Sequence, residues 1–151
     1  MATRTRLSLN LIAAAALTVS CGGTPTGPPR AEDVKIIVHT TGGISGMDWT
    51  VTLDGADGEA RCSEPCPWAP QTRRVVSDAD VESIAAAFVD AGVRRHRDTD
   101  FGLCTGCADQ FHHEMVYRDG TGIYHVEGDG PNLPDELSAA VARIIFPTSP
   151  E

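Results

Sequence analysis

Alternating apolar and polar positions predict two pairs of β-strands, one in each half of the chain. The first pair is formed by residues 34–40 and 48–54, with a glycine-rich connection between them. The second is formed by residues 111–118 and a partner strand through Tyr124 and Val126, after a turn with two glycines. Because successive side chains of a strand point to opposite faces, each of these strands buries one face only. Turns this short and this rich in glycine join antiparallel neighbours.

Apolar residues at helical spacing predict two helices. Ser77 is the expected N-cap of the first, and Gly92 ends it. The second begins at Pro134, since proline is favoured in the first turn of a helix, and ends before Pro147. The apolar stripes are Val81, Ile84, Ala85 and Phe88 in the first helix and Leu137, Ala140, Val141 and Ile144 in the second.

These elements indicate a single α+β domain over residues 33–147. Residues 59–62 add a short third strand, which follows two turn dipeptides and precedes a proline-rich loop. The order of elements is therefore β-β-(β)-α-β-β-α. We expect a small antiparallel sheet of four to five strands, with the two helices packed on one face. About 115 residues suffice for one modest core. Residues 148–151 are expected to be a disordered tail.

The N-terminal segment has the pattern of an export signal. Arg4 and Arg6 precede an apolar run over residues 7–19, which is too short for a stable membrane span. The Leu-Thr-Val-Ser-Cys sequence that ends at Cys21 resembles the lipobox of bacterial lipoproteins. The resemblance implies that residues 1–20 are a lipoprotein signal peptide and that Cys21 carries the lipid. An ordinary secretory signal is the alternative, and it also places the domain outside the cytoplasm.

Residues 21–32 are rich in glycine, threonine and proline and have no apolar period, so we expect a flexible tether. The predicted location is the bacterial cell envelope, anchored by lipid and facing the periplasm or the exterior. The full chain has a net charge of −9, and loss of the two arginines in residues 1–20 makes it −11. So acidic a domain disfavours binding to nucleic acid, and it disfavours contact with anionic membranes other than through the lipid.

Four cysteines remain besides Cys21, and an even number in an oxidising compartment predicts two disulfides. The sequence allows three pairings. Two local pairs are favoured slightly, because each closes a turn that contains proline or glycine. The cysteines are Cys62, Cys66, Cys104 and Cys107.

Other chemistries of these cysteines fit less well. A redox Cys-x-x-Cys pair requires its first cysteine at the N-terminus of a helix, whereas Cys104 and Cys107 precede a predicted strand. A zinc site of cysteines with His112 and His113 is disfavoured because adjacent histidines in a strand point to opposite faces. The sequence therefore predicts no metal and no cofactor.

No catalytic residue is predicted, and we do not expect an enzyme. Ser45 lies in a Gly-Gly-x-Ser-Gly sequence, but a nucleophile elbow requires a helix after the serine, and here a strand follows. Asp98, Asp100 and Asp109 lack the spacing of a calcium loop, so an exposed acidic loop is favoured.

Several short motifs occur in the order found in the emfourin-like family, named for an inhibitor of the metallopeptidase protealysin. A strand over residues 34–38 enters the Thr-Gly-Gly-x-x-Gly sequence of residues 41–46. Asp-Gln-Phe at residues 109–111 and Leu-Pro-x-x-Leu at residues 133–137 follow. The domain resembles this family along nearly its whole length. The cysteines and the lipid anchor are additions to the minimal inhibitor.

The resemblance implies an envelope lipoprotein that inhibits or binds a thermolysin-like metallopeptidase. A structural envelope lipoprotein without catalytic activity is the alternative. The expected contact is the glycine-rich loop, because glycines allow close backbone approach and its two large apolar residues have no periodic place in the core. Those two residues could equally fold back onto the core. The loop residues are Gly42, Gly43, Ile44, Ser45, Gly46 and Met47.

Overall fold

The computed structural model of the protein describes residues 27–107 and 109–146, which form one β-sheet covered by two α-helices. The predicted α+β class is confirmed. The elements are β1 (Lys35–Gly42), β2 (Met47–Asp54), β3 (Glu59–Cys62), β4 (Arg73–Val75), α1 (Asp78–Asp90), β5 (Thr99–Asp100), β6 (Phe111–Asp119), β7 (Gly122–Asp129) and α2 (Asp135–Ile145).

The sheet has seven strands in the order β4-β3-β2-β1-β6-β7-β5. Every neighbouring pair is antiparallel except β5 and β7, which are parallel. The expected sheet of four to five antiparallel strands is therefore wrong in size and in direction. The strands beyond that expectation, β4 and β5, contain three and two residues, which is too short for an alternating pattern to mark them.

The central strands are aligned so that their apolar positions form one continuous buried face. Val38 of β1 lies opposite Val51 of β2 and Met115 of β6, and Ile36 lies opposite Leu53 in the same way. All five side chains are fully buried. The side chains that alternate with them are mostly polar and half-exposed, and they form the open face of the sheet.

Both helices belong to the core on the buried side. The Phe88 ring of α1 stacks on Tyr117 of β6 with 6.0 Å between the ring centroids. The side-chain oxygen of Ser77 accepts a backbone N–H of the first turn, which confirms the predicted N-cap. α2 contacts α1 and β2, and its last turn is joined to the proline-rich loop by a hydrogen bond from Trp68 Nε1 to the Ile145 carbonyl.

The ordered domain begins earlier than the sequence indicates. Ala31 and Glu32, predicted to belong to the tether, form a 3₁₀ turn together with Asp33, and Ala31 is buried. A Cβ on Gly55 would lie only 1.9 Å from the Ala31 carbonyl oxygen, so the turn after β2 fits closely against this segment. This packing orders residues that lack any apolar period.

Residues 1–20, Cys21, Pro147 and residues 148–151 lie outside the part of the chain that the structure describes. Within the described part, no helix is long and apolar enough to cross a membrane. α1 and α2 contain 13 and 11 residues, whereas a spanning helix needs about 20 apolar ones.

Candidate functional site

The predicted contact loop is a tight turn at one end of the sheet. A 3.0 Å hydrogen bond from the Gly46 N–H to the Gly43 carbonyl closes a four-residue turn, with Ile44 and Ser45 at its centre. The φ angles of Gly43 and Gly46 are +71° and +62°, in the left-handed region that favours glycine. Glycine is therefore favoured on both sides of the exposed pair.

The two apolar residues of the loop point to solvent. Ile44 is 87% exposed and Met47, the first residue of β2, is 38% exposed. Of the two alternatives that the sequence leaves open, burial of these side chains in the core is thus wrong. An isoleucine this exposed on a short turn is free to enter a pocket of another protein.

The turn is held against the segment that precedes β6. The Gly43 N–H donates to the Gln110 carbonyl at 2.9 Å, and the Ile44 N–H donates to the Asp109 carboxylate. Asp109 itself has a positive φ of 61°. A Cβ on Gly42 would lie 2.4 Å from the Gln110 carbonyl oxygen, which shows how close the two segments are. These contacts fix the backbone on which Ile44 is displayed.

The sequence does not predict this support of the loop. In the sequence, Asp109 is notable only as a disfavoured candidate for calcium binding and as part of a family motif. The pairing of β1 with β6, which brings Gly42 opposite Phe111, joins positions far apart in the chain. A polar side chain just before a strand is the one local signal.

Two further apolar residues lie at the same end of the sheet. Phe111 is 38% exposed, and its ring lies 3.0 Å from the position that a Cβ on Gly43 would take. Leu103 is 73% exposed in the loop that leads to β6. We refer to Ile44, Met47, Leu103 and Phe111 together as the apolar tip.

A histidine and two acids lie beside the tip on the open face. His39 Nε2 lies 2.8 Å from Asp48 Oδ1, and His39 Nδ1 lies 3.4 Å from Glu114 Oε2. The hydrogen bond with Asp48 is the main reason that the pKa of His39 is raised. Burial of the ring opposes this rise in pKa, and the contact with Glu114 adds to it. At this end of the sheet, the exposed apolar tip therefore lies next to a histidine and two acidic side chains.

Both disulfides are the local ones. Cys62–Cys66 and Cys104–Cys107 each have a Cα–Cα distance of 5.6 Å, which is typical of a disulfide. The first pair is buried, whereas Cys107 is exposed. Cys104 lies in a loop that leads into a strand, so no helix dipole activates it for redox chemistry.

The remaining candidate residues are dispersed. His112 and His113 point to opposite faces: His113 Nδ1 contacts Thr40 Oγ1 at 2.9 Å, on the buried side, and burial lowers the pKa of His113. Ser45 is exposed and has no hydrogen-bond partner among residues 27–107 and 109–146. Cys21, the predicted site of lipidation, lies outside the described residues.

Comparison with known proteins adds no assignment. The chain matches no protein-family model, and no curated protein and no solved structure is significantly similar to it. The emfourin-like resemblance therefore remains a prediction that rests on short motifs. Any functional interpretation depends mainly on the geometry of the chain itself.

Proposed function

We propose that this protein is an envelope-anchored lipoprotein whose β1–β2 loop binds, and thereby inhibits, a thermolysin-like metallopeptidase. The observation that carries the proposal is Ile44, exposed at the centre of a turn whose backbone is hydrogen-bonded to Asp109 and Gln110. The emfourin-like order of motifs suggests the class of target. The lipid at Cys21 would hold the domain where exported peptidases act.

The energetics favour recognition by a preformed loop. Full burial of an isoleucine side chain in an apolar pocket contributes about 1.5–3 kcal/mol. A loop that is already ordered loses little conformational entropy on binding, so most of this contribution is retained as affinity. The glycines at positions 43 and 46 also let a partner approach the backbone closely.

Ile44 alone does not form an interface. A stable complex buries about 800 Å² on each partner, far more than one turn offers. Leu103 and Phe111 extend the apolar tip at the same end of the sheet and supply a second and third anchor. Few anchors surrounded by polar residues are the usual composition of a binding surface.

The test is a titration of the purified full chain in detergent against a thermolysin-like metallopeptidase, with zinc in excess over the enzyme. We expect activity to fall linearly with added protein and to vanish at a 1:1 ratio. A serine peptidase serves as the control and should be unaffected. Absence of inhibition at micromolar concentration would reject the proposal and favour the structural envelope role.

A further inference from the structure

Three potential metal ligands meet on the open face of the sheet. His112 and Glu114 are two residues apart on β6 and so share a face, and Glu127 lies directly opposite Glu114 on β7. Each residue offers one ligand atom, and these atoms all lie within 4.8 Å of one another. The proposed inhibitory loop uses none of them.

One ring nitrogen of the histidine is already bound to a carboxylate. His112 Nδ1 lies 3.0 Å from Asp129 Oδ1, so Nε2 is the ring nitrogen that is left available for a cation. Asp129 is itself fixed, because its other oxygen accepts the Cys104 N–H at 2.6 Å. In metal sites the second ring nitrogen of a ligating histidine almost always binds a carboxylate, a carbonyl or water in this way.

The two glutamates form an unfavourable pair without a cation. Carboxylates directly opposite each other on neighbouring strands repel and destabilise the sheet. Glu114 has a 3.4 Å contact with His39, but Glu127 has no ion pair or side-chain hydrogen bond within the described part of the chain. A bound divalent cation would turn this repulsion into attraction.

We propose that His112, Glu114 and Glu127 bind one divalent transition-metal cation, with Zn²⁺ as the best match. Imidazole together with carboxylates suits zinc better than calcium or magnesium, which prefer oxygen ligands. Ligand atoms at about 2.0–2.2 Å from one zinc ion lie at most about 4.4 Å apart, so a small rotation of these exposed or partly exposed side chains closes the site. Three protein ligands leave a coordination position for water or for a partner's side chain.

This ligand set differs from the zinc site that the sequence disfavours. That site requires the four cysteines, all of which are in disulfides. The two glutamates meet only through the register of β6 with β7, which the sequence does not show. The proposed site is built on carboxylates instead, and it departs from the prediction of no metal.

Calorimetric titration of the full chain in detergent with Zn²⁺ alone tests the proposal, with both disulfides intact and any free thiols alkylated. We expect one zinc ion per chain. His112→Gln and Glu127→Gln should each weaken binding at least tenfold, whereas Glu82→Gln, an exposed change on α1, should leave it unchanged. Titration with Ca²⁺ and Mg²⁺ should give much weaker binding.

Asp129 is a positioning residue in this scheme, and Asp129→Asn provides a second test. We expect weaker binding with unchanged stoichiometry, because the ligands remain while His112 loses its orientation. Circular dichroism must show that each variant is folded. Without zinc, Glu127→Gln should raise the melting temperature, since it removes the repulsion from Glu114.

Three outcomes would overturn the proposal: no zinc binding at submillimolar concentration, equal zinc binding by the wild type and both ligand variants, or binding only after reduction of the disulfides. None of them depends on peptidase inhibition, so this site and the proposed function fail separately.

Discussion

Arg94 and Asp119 form an ion pair that joins the segment after α1 to the turn between β6 and β7. Arg94 donates from Nε at 3.1 Å and from Nη2 at 2.6 Å to Asp119 Oδ2. The Asp119 side chain is only 1% exposed, and its other oxygen accepts the N–H and O–H of Thr121. A single carboxylate therefore organises the hairpin turn and binds the segment after the helix.

Asp119→Ala should destabilise the domain by about 3 kcal/mol. The variant leaves the Arg94 guanidinium without its partner and removes the acceptor of two hydrogen bonds from Thr121. Loss of one member of a buried ion pair costs about 3–5 kcal/mol, and partial exposure of Arg94 places this pair at the lower end. Urea unfolding measures the difference in the free energy of unfolding.

Asp57→Ala is the matched control for that change. Asp57 lies 3.4 Å from Arg61, and both side chains are at least half-exposed. Exposed ion pairs contribute little, so this variant should unfold close to the wild type. If the two substitutions lower the free energy of unfolding equally, the Arg94–Asp119 pair contributes no more stability than an exposed ion pair.

We expect the domain to lose stability in acid because of the same carboxylate, that of Asp119. Burial alone would raise the pKa of Asp119, but the hydrogen bonds from Thr121 and Arg94 outweigh it and hold that pKa below its ordinary value. A lowered folded-state pKa contributes stability that is fully present above the unfolded-state pKa, about 3.9, and is lost as pH falls through the folded-state pKa.

The test measures the free energy of unfolding of the wild type and of Asp119→Asn between neutral pH and strong acid. The wild type should be the more stable at neutral pH, and its advantage should shrink as the carboxylate is protonated. A constant difference across the range would contradict the predicted pKa.

The major elements are predictable because each follows from local chemistry. Alternation marks β1, β2, β6 and β7, and Ser77 and Gly92 mark the ends of α1. β4 and β5 form because neighbouring strands offer them free edges, a tertiary effect that three and two residues cannot signal. Ala31 is ordered for a similar reason, through its close fit to Gly55.

The candidate sites depend even more on tertiary contacts, which the sequence does not show. Local glycines indicate the loop around Ile44, but its support by Asp109 and Gln110 depends on the pairing of β1 with β6. The meeting of Glu114 with Glu127 depends likewise on the register of β6 with β7. Sequence patterns report which face of a strand a residue occupies and leave open which residue lies opposite.

The two disulfides should differ in their rate of reduction. Cys62 and Cys66 are buried, at 8% and 7% exposure, whereas Cys107 is exposed. Thiol exchange requires access to a sulfur atom, so a mild reductant should open Cys104–Cys107 first. Mass spectrometry after timed alkylation measures the order, and a free thiol at any of these four cysteines in the unreduced protein would contradict the pairing.

Cys21→Ser should release the protein from the membrane fraction. The prediction follows from the lipobox resemblance, which implies that a lipid on Cys21 attaches the mature chain to the membrane. Fractionation with immunoblotting measures the partition. Thr26→Ser, which lies in the predicted tether and leaves the lipobox sequence intact, serves as the comparison. Unchanged partition of Cys21→Ser would reject lipidation.

Ile44→Glu should weaken inhibition without affecting the fold. Ile44 is 87% exposed, and a substitution on the surface usually changes the free energy of unfolding by less than about 0.5 kcal/mol. A glutamate cannot enter an apolar pocket without losing its hydration, so the inhibition constant should rise about tenfold or more. The metallopeptidase titration and a thermal melt measure the two effects.

Val75→Glu is the control, because it introduces the same charge at an equally exposed apolar residue. Val75 is 91% exposed on β4, at the opposite edge of the sheet from β5 and outside the apolar tip. A general effect of negative charge would weaken both variants alike, whereas a contact through the tip weakens Ile44→Glu only. Loss of inhibition in Val75→Glu with full inhibition by Ile44→Glu would move the contact to the β4 edge and reject the loop.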